Sequence, residues 1–256
     1  DGIRVNFPLR EFRRVLFRSA KPLKDWGSVA ELMRQSAGQL EPGNAGGSFQ
    51  GELIITPDCL GDFISYLDGI YLGDYAIITG SSPWKERLGQ ELVSPLFTLR
   101  SEPDGPGVEL GYAYTGDGFR AENCPIIERG ALRNFTIGFY ASNKSGKPRC
   151  PSGGGAPVVE AGDTPLSDMI ASVKRGLLLA RFSGGSPSEN GDFSGVAKNS
   201  YLIEDGRIIR PVGETMITGN VARLFESIRA VSRERVDYGT AVYPWVLAGG
   251  VGIAGE

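Results

Sequence analysis

The most informative absence in this chain is histidine, because none of the 256 residues is a histidine. Serine and cysteine hydrolases use histidine as their general base, and most catalytic zinc and non-haem iron sites use it as a ligand. The composition therefore excludes Ser-His-Asp, Cys-His and His-Glu-x-x-His sites within this chain. Chemistry performed by the chain alone would depend on carboxylates, hydroxyls, thiols, Lys or Tyr.

Cysteine and long apolar runs are also scarce. The three cysteines at positions 59, 124 and 150 form no Cys-x-x-Cys pair, and their odd number predicts free thiols in a reducing cytoplasm. No apolar run approaches the ~18 residues that span a bilayer, and no signal peptide opens the chain. The 27 basic and 30 acidic side chains nearly balance, at a net charge of -3. We therefore expect a cytoplasmic protein with neither a membrane nor a nucleic acid as partner.

The first 19 residues differ in charge from the rest of the chain. Residues 1–19 contain five Arg against one Asp and one Glu, and they include the run REFRRVLFRS. A basic arm that binds nucleic acid or a membrane surface is one interpretation. The other, which we favour, is a non-native segment derived from a translated adapter, and such a segment carries no information about the fold or function of the rest of the chain.

Glycine is plentiful, at 37 residues, which favours tight turns and short strands. Asp205-Gly206 and Arg129-Gly130 each separate two apolar runs, as hairpin turns do, and a third turn is predicted at residues 115–118. The strand predicted at residues 242–253 contains Pro244 and the pair Gly249-Gly250, which indicates an edge position or a bulge.

A few amphipathic helices interrupt these strands. The clearest follows Thr56-Pro57, a capping residue with proline at the first helical position, and shows apolar residues at helical spacing: Leu60, Phe63, Ile64, Leu67 and Tyr71. Others are predicted after Thr164-Pro165 and after Asn220. These patterns predict an α+β fold, rich in antiparallel sheet with a few amphipathic helices.

Two clusters of polar residues allow alternative interpretations. Asp58 and Asp62 lie four residues apart on one side of the first helix, where they could hold a hard cation or simply form a solvated face. The dense group at residues 189–194 (ENGDFS) is either a tight turn capped by its own side chains or part of a functional site.

Five segments of the second half carry a resemblance to a known family. They are 176–179 (GLLL), 189–195 (ENGDFSG), 201–206 (YLIEDG), 210–212 (RPV) and 217–220 (ITGN). In order, spacing and type they resemble the C-terminal region of the TldD/PmbA proteins, which are related to metallopeptidases and are also called modulators of DNA gyrase. The resemblance implies structural or peptide-binding roles for ten residues: Gly191, Asp192, Phe193, Ser194, Gly195, Glu204, Gly206, Pro211, Gly219 and Asn220.

The same resemblance implies where a metal site would stand. In the TldD branch a His-Glu-x-x-x-His motif lies on the helix that corresponds to residues 58–72, and a cysteine near the C-terminus completes the site. Here residues 62–68 (DFISYLD) take the place of the motif, and residues 238–246 (YGTAVYPWV) contain no cysteine. No catalytic or metal-binding residue can be carried over, so the chain resembles the PmbA/TldE branch.

The resemblance also implies a function. The chain would be a metal-free, TldE-like subunit that pairs with a TldD-type metallopeptidase subunit, which supplies the zinc, and together they would degrade or process peptides and unfolded proteins. Residues 51–256 would form the family's C-terminal domain, and residues 20–50 the tail of a mostly missing N-terminal domain. Two alternatives stay open: a stand-alone peptidase with a carboxylate and metal site such as Asp58/Asp62, and a gyrase-linked interaction protein without enzymatic activity.

Overall fold

The computed structural model describes residues 27–255, so the predicted non-native segment 1–19 lies outside the described residues. The strands are β1 (Gly47–Ile55), β2 (Leu99–Ser101), β3 (Cys124–Glu128), β4 (Ala131–Leu132), β5 (Pro157–Val159), β6 (Arg175–Leu179), β7 (Arg181–Gly184), β8 (Asp192–Lys198), β9 (Ser200–Glu204), β10 (Arg207–Val212), β11 (Thr215–Asn220), β12 (Ile228–Asp237) and β13 (Val242–Gly255). The helices are α1 (Val29–Gly38), α2 (Pro57–Leu67), α3 (Asp74–Thr79), α4 (Phe139–Ser145), α5 (Leu166–Ser172) and α6 (Val221–Glu226), and a π-helical turn (Asp68–Leu72) extends α2. None of these helices within residues 27–255 is both long and apolar enough to cross a lipid bilayer.

One mixed sheet organises the fold. Its main path runs β10-β9-β6-β1-β13-β5-β2-β3-β4, and the strands β11, β12, β8 and β7 join it through β13. Most neighbours are antiparallel, while β1 pairs with β6 and β5 with β13 in parallel. The predicted α+β class with a sheet rich in antiparallel pairs is therefore confirmed, although the sheet is mixed.

Strand β13 is central rather than an edge strand. It pairs with β1 along one side and with β11 and β12 along the other, so the predicted edge position is wrong. The predicted bulge is present, because the register with β1 passes from Gly51↔Val251 to Leu53↔Ala248 and skips Gly249 and Gly250. The bulge is what lets a central strand accommodate this glycine pair.

Helix α2 packs its apolar side against the sheet and forms the main core with it. Its predicted inward residues are all buried, as are their partners on β6, β8 and β13. Pro57 occupies the first turn as expected, but the Thr56 hydroxyl donates to the carbonyl of Ala180 at 3.3 Å instead of capping the helix. The proline's fixed φ and the buried face therefore account for where this helix starts.

Two of the predicted hairpins form. Arg129-Gly130 and Asp205-Gly206 adopt positive φ at both positions, 46° and 80° in the first and 45° and 74° in the second, as a type I′ turn requires. The strand after Arg129-Gly130 is only two residues long, because the chain leaves the sheet after Leu132. At residues 115–118 the predicted hairpin is reduced to one isolated pair, Tyr114↔Arg120.

Candidate functional site

The helix and the C-terminal segment that would carry a metal site in the TldD branch do meet in space. The Tyr238 hydroxyl, just before β13, donates to Asp58 Oδ1 on α2 at 2.9 Å, and the Ser28 hydroxyl donates to the same oxygen. Burial, followed by the nearby Asp58 charge, raises the pKa of Tyr238 well above its usual range. A carboxylate held by two hydroxyls therefore occupies this junction.

Three of residues 62–68, which take the place of the metal motif, form the inward face of the helix and belong to the core. Phe63, Ile64 and Leu67 are buried, and the Phe63 ring lies 5.5 Å from Phe182 and 5.4 Å from Phe193 between centroids. These inward side chains offer no oxygen, nitrogen or sulfur to a cation.

A small cavity opens beside the end of α2, which we call the Asp68 cavity. Its volume is about 190 Å³, and its polar lining includes Asp68, Thr136, Ser101 and Tyr243. The Thr136 hydroxyl donates to Asp68 Oδ1. Burial raises the pKa of Asp68, and this hydrogen bond partly opposes the rise. Asp68 is the one acidic residue in the lining of this cavity, which also includes Arg100, and the nearby Asp74 charge adds to the rise in the pKa of Asp68.

These residues do not fit a zinc ion. A protein zinc site takes three or four closely spaced nitrogen, sulfur or carboxylate ligands. Within residues 27–255 no group of three or more His, Cys, Asp or Glu side chains is placed to hold a metal. Asp58, one half of the proposed cation pair with Asp62, already accepts two hydroxyl hydrogen bonds through Oδ1.

Seven of the ten motif residues come together where β8 and β11 pair. In this register Asp192 faces Asn220 and Phe193 faces Gly219, while Ser194 lies exposed further along β8. The Asn220 amide donates to Asp192 Oδ1 at 2.9 Å and to the Asn190 carbonyl at 2.8 Å. Its oxygen accepts from the Arg223 backbone N–H at 3.3 Å, so Asn220 caps α6 as the sequence predicts.

Beside this pair lies a cleft of about 270 Å³, which we call the glycine cleft. Its lining residues come from β8, β11, α6 and the β13 bulge: Asp192, Gly219, Asn220, Arg223, Leu224, Gly249, Gly250 and Val251. A Cβ added at Gly249 or at Gly250 would meet no atom within 4 Å, so both glycines border open space. In the sequence, Gly249 and Gly250 indicated an edge position or a bulge, and no pattern assigned a functional role to Arg223 or Leu224.

The other glycines of this group serve packing. A Cβ at Gly191, where φ is +87°, would lie 2.1 Å from the Tyr71 hydroxyl oxygen. At Gly195 it would lie 2.5 Å from the Phe182 ring, and at Gly219 it would lie 2.7 Å from the Phe193 ring. The space beside Gly195 is thus filled by the protein itself, whereas Gly249 and Gly250 leave theirs open.

The remaining three motif residues lie on the β9–β10 hairpin, across the sheet from the glycine cleft. Glu204 pairs with Arg175 at 3.4 Å. Gly206 supplies the positive φ of the turn, and Pro211 faces Tyr201 in the strand register. The structure therefore divides the ten residues into a group at the cleft and a group that shapes a hairpin.

The whole of this arrangement matches one protein family. The model of the PmbA/TldA metallopeptidase C-terminal domain covers residues 48–255, which is most of the chain and includes the helix α2, the Asp68 cavity and the glycine cleft. The chain belongs to the PmbA/TldD family. Its resemblance to that family, recognised from five short segments, is confirmed.

Individual PmbA/TldD relatives are distant in sequence. A metalloprotease of Methanothermobacter thermautotrophicus is 27% identical over 199 residues, covering 72% of this chain and 43% of the relative. A zinc metalloprotease TldD homolog of Saccharolobus solfataricus is 25% identical over 225 residues, covering 80% and 49%. The chain thus spans less than half the length of these two relatives.

Solved PmbA/TldD structures share the fold. A Bacteroides thetaiotaomicron protein described as a modulator of DNA gyrase superposes with a TM-score of 0.80 at 25% identity, covering 89% of this chain and 52% of its own. TldE of Thermococcus kodakarensis superposes with a TM-score of 0.75 at 22% identity, covering 89% and 56%. In both cases this chain matches little more than half of a longer protein.

Proposed function

We propose that this chain is a TldE-like subunit without a catalytic metal, and that it pairs with a TldD-type zinc metallopeptidase subunit. The pair would degrade or process peptides and unfolded proteins in the cytoplasm. The partner would supply the zinc and the hydrolytic water, and this chain would help to hold the substrate.

The main support for this proposal is the composition of the helix face at residues 62–68. In a subunit with its own metal, this helix would point ligands at the C-terminal segment. Here the inward side chains are Phe63, Ile64 and Leu67, and the C-terminal segment offers Tyr238 and Tyr243. Apolar side chains and phenols of raised pKa are poor zinc ligands, since zinc prefers thiolate, imidazole and carboxylate.

The glycine cleft supports a role in holding substrate. An extended peptide is recognised largely through its main chain, so its binding site needs protein surface that lets another backbone approach closely. Gly249 and Gly250 provide such surface, because the β1 ladder skips them, the β12 ladder ends at Ala248 and the β11 ladder begins at Gly252. Asp192, Asn220 and Arg223 add donors and acceptors at the rim.

Co-expression with a TldD-type protein tests the pairing. We expect the two chains to co-purify and peptidase activity to require both. If they do not co-purify, and activity is the same with and without this chain, the proposal is wrong. Recovery of a topoisomerase without a TldD-type subunit would instead favour the gyrase-linked alternative.

A single substitution tests the cleft separately from the pairing. Gly249→Val places a branched side chain in open space, so the fold and the complex should survive while the cleft is partly filled. We expect kcat/KM of the complex for a peptide substrate to fall by about tenfold, equivalent to ~1.4 kcal/mol.

The matched control is Gly116→Val, because Gly116 also borders open space but does not line the cleft. This variant should keep the kcat/KM of the unmodified complex. If the two variants have equal kcat/KM, the cleft does not contribute to substrate binding. The proposed pairing would then be supported by co-purification alone.

A further inference from the structure

Two of the three cysteines lie side by side, although 26 positions separate them in the sequence. Cys124 begins β3 and Cys150 lies where the chain returns from α4, and their sulfur atoms are 3.9 Å apart. The Ser152 hydroxyl oxygen lies 3.3 Å from Cys124 Sγ and 3.2 Å from Cys150 Sγ. Both thiols are buried, with exposed fractions of 5% for Cys124 and 0% for Cys150.

This separation is within reach of a disulfide bond. A disulfide holds its sulfur atoms about 2.05 Å apart, with the two Cβ atoms about 3.5–4.5 Å apart. The sulfurs of Cys124 and Cys150 must therefore approach by about 2 Å, a movement of the scale that side-chain rotation supplies. Neither sulfur takes part in the glycine cleft or in the contacts between α2 and Tyr238.

The surroundings give the two thiols different chemical roles. A hydrogen bond from the Cys150 thiol, helped by the Ser152 hydroxyl and the Arg100 charge, lowers the pKa of Cys124 below its usual value against the opposing effect of burial. The same contact and burial raise the pKa of Cys150. Cys124 is also the less buried of the two residues, with 5% of its surface exposed against 0% for Cys150, so an oxidant reaches it first. Cys124 is therefore the nucleophile of the pair and Cys150 is the thiol that resolves it.

We propose that Cys124 and Cys150 are a redox-active pair that forms a reversible disulfide when the protein meets hydrogen peroxide. The Cys124 thiolate attacks the peroxide O–O bond and becomes a sulfenic acid, and the departing hydroxide takes up a proton to become water. The Cys150 sulfur then attacks the Cys124 sulfur and breaks its S–O bond, and the second hydroxide leaves with the Cys150 proton as water. Two thiols are oxidised to one disulfide, and one peroxide is reduced to two waters.

The bond would connect two parts of the wall of the Asp68 cavity. Cys124 lies two residues before Ile126 and pairs with Ser101, while Cys150 precedes the turn that leads to Gly154. Ile126, Ser101 and Gly154 all line that cavity. Oxidation would therefore fix the loop between α4 and β5 against β3 at this point.

Counting free thiols tests the proposal on the full chain. The reduced protein is treated with hydrogen peroxide, then unfolded in an alkylating reagent, digested and analysed by mass spectrometry. We expect two thiols to be lost, a linked pair of peptides that contain Cys124 and Cys150, and alkylation at Cys59 only. Dithiothreitol should restore all three thiols.

Cys59 is the internal control. It lies in the core on α2, where burial raises its pKa well above the usual range, so it should stay reduced. A Cys59→Ala variant should lose two thiols to peroxide like the unmodified chain, and a Cys150→Ser variant should form a sulfenic acid on Cys124 that dimedone traps.

Three results would overturn the proposal. One is alkylation of all three cysteines after peroxide treatment of the unmodified chain, and another is a linked pair that includes Cys59. The third is irreversible oxidation of Cys124 to sulfinic or sulfonic acid while Cys150 remains alkylated.

Discussion

Phe63→Ala is the substitution that probes the helix face most directly. Phe63 is fully buried, and its ring contacts those of Phe182, Phe193 and Tyr66 at centroid distances of 5.5, 5.4 and 6.0 Å. Truncation of a buried phenylalanine costs about 3–5 kcal/mol of unfolding free energy. Since each aromatic pair adds about 0.5–1.5 kcal/mol beyond buried area, we expect a loss near the upper end of that range.

Urea unfolding followed by far-UV circular dichroism measures this loss, with linear extrapolation to water. Ser65→Ala on the same helix is the matched control, because Ser65 is exposed and donates only to the Gly61 carbonyl of its own helix. It should change stability by less than about 0.5 kcal/mol. A loss below about 1 kcal/mol for Phe63→Ala would refute the reasoning, since it would mean that this helix face is not part of the core.

Three further substitutions test the motif group and the Asp68 cavity. Gly191→Ala should cost more than about 1 kcal/mol in urea unfolding, because its Cβ would clash with the Tyr71 hydroxyl and φ is +87°; Gly249→Ala, in open space, is the control and should cost less. Asn220→Ala should cost about 1–2 kcal/mol in the same assay through loss of the helix cap, and a change within about 0.5 kcal/mol would contradict the capping role. Asp68→Asn should gain stability relative to the unmodified chain as pH rises from acid to neutral. Burial raises the folded pKa of Asp68 above its unfolded value of about 3.9. The stability that protonated Asp68 contributes is therefore fully present below pH ~3.9, and it is lost as pH rises through the folded pKa. Unfolding curves at a series of pH values measure this, and a stability difference that does not change with pH would contradict it.

Local features were predictable from the sequence because short-range chemistry decides them. Asn220 caps α6 through a bond to a residue three positions away, and Asp205-Gly206 turns a hairpin through its own backbone conformation. The buried side of α2 follows from helical spacing alone. In each case the interacting residues lie within one or two turns of chain.

Long-range pairing was not predictable from these patterns. The central place of β13 depends on β1, which lies about 190 residues earlier in the chain, as well as on the nearby strands β11 and β12. An apolar strand with glycines has the same sequence pattern at an edge and in the centre of a sheet. The approach of Tyr238 to Asp58 and of Cys124 to Cys150 likewise spans many residues. The fold also separates residues that the family resemblance grouped together, since Glu204 and Gly206 lie on a hairpin away from the glycine cleft.

The zinc content of this chain, alone and in complex, tests the central claim most directly. The chain is purified without a histidine tag, equilibrated with zinc, dialysed and analysed by inductively coupled plasma mass spectrometry, in parallel with its complex with a TldD-type subunit. We predict no stoichiometric zinc in the isolated chain and one zinc per heterodimer, with peptidase activity only in the complex. One zinc per isolated chain, together with peptidase activity in the absence of a partner, would contradict the account.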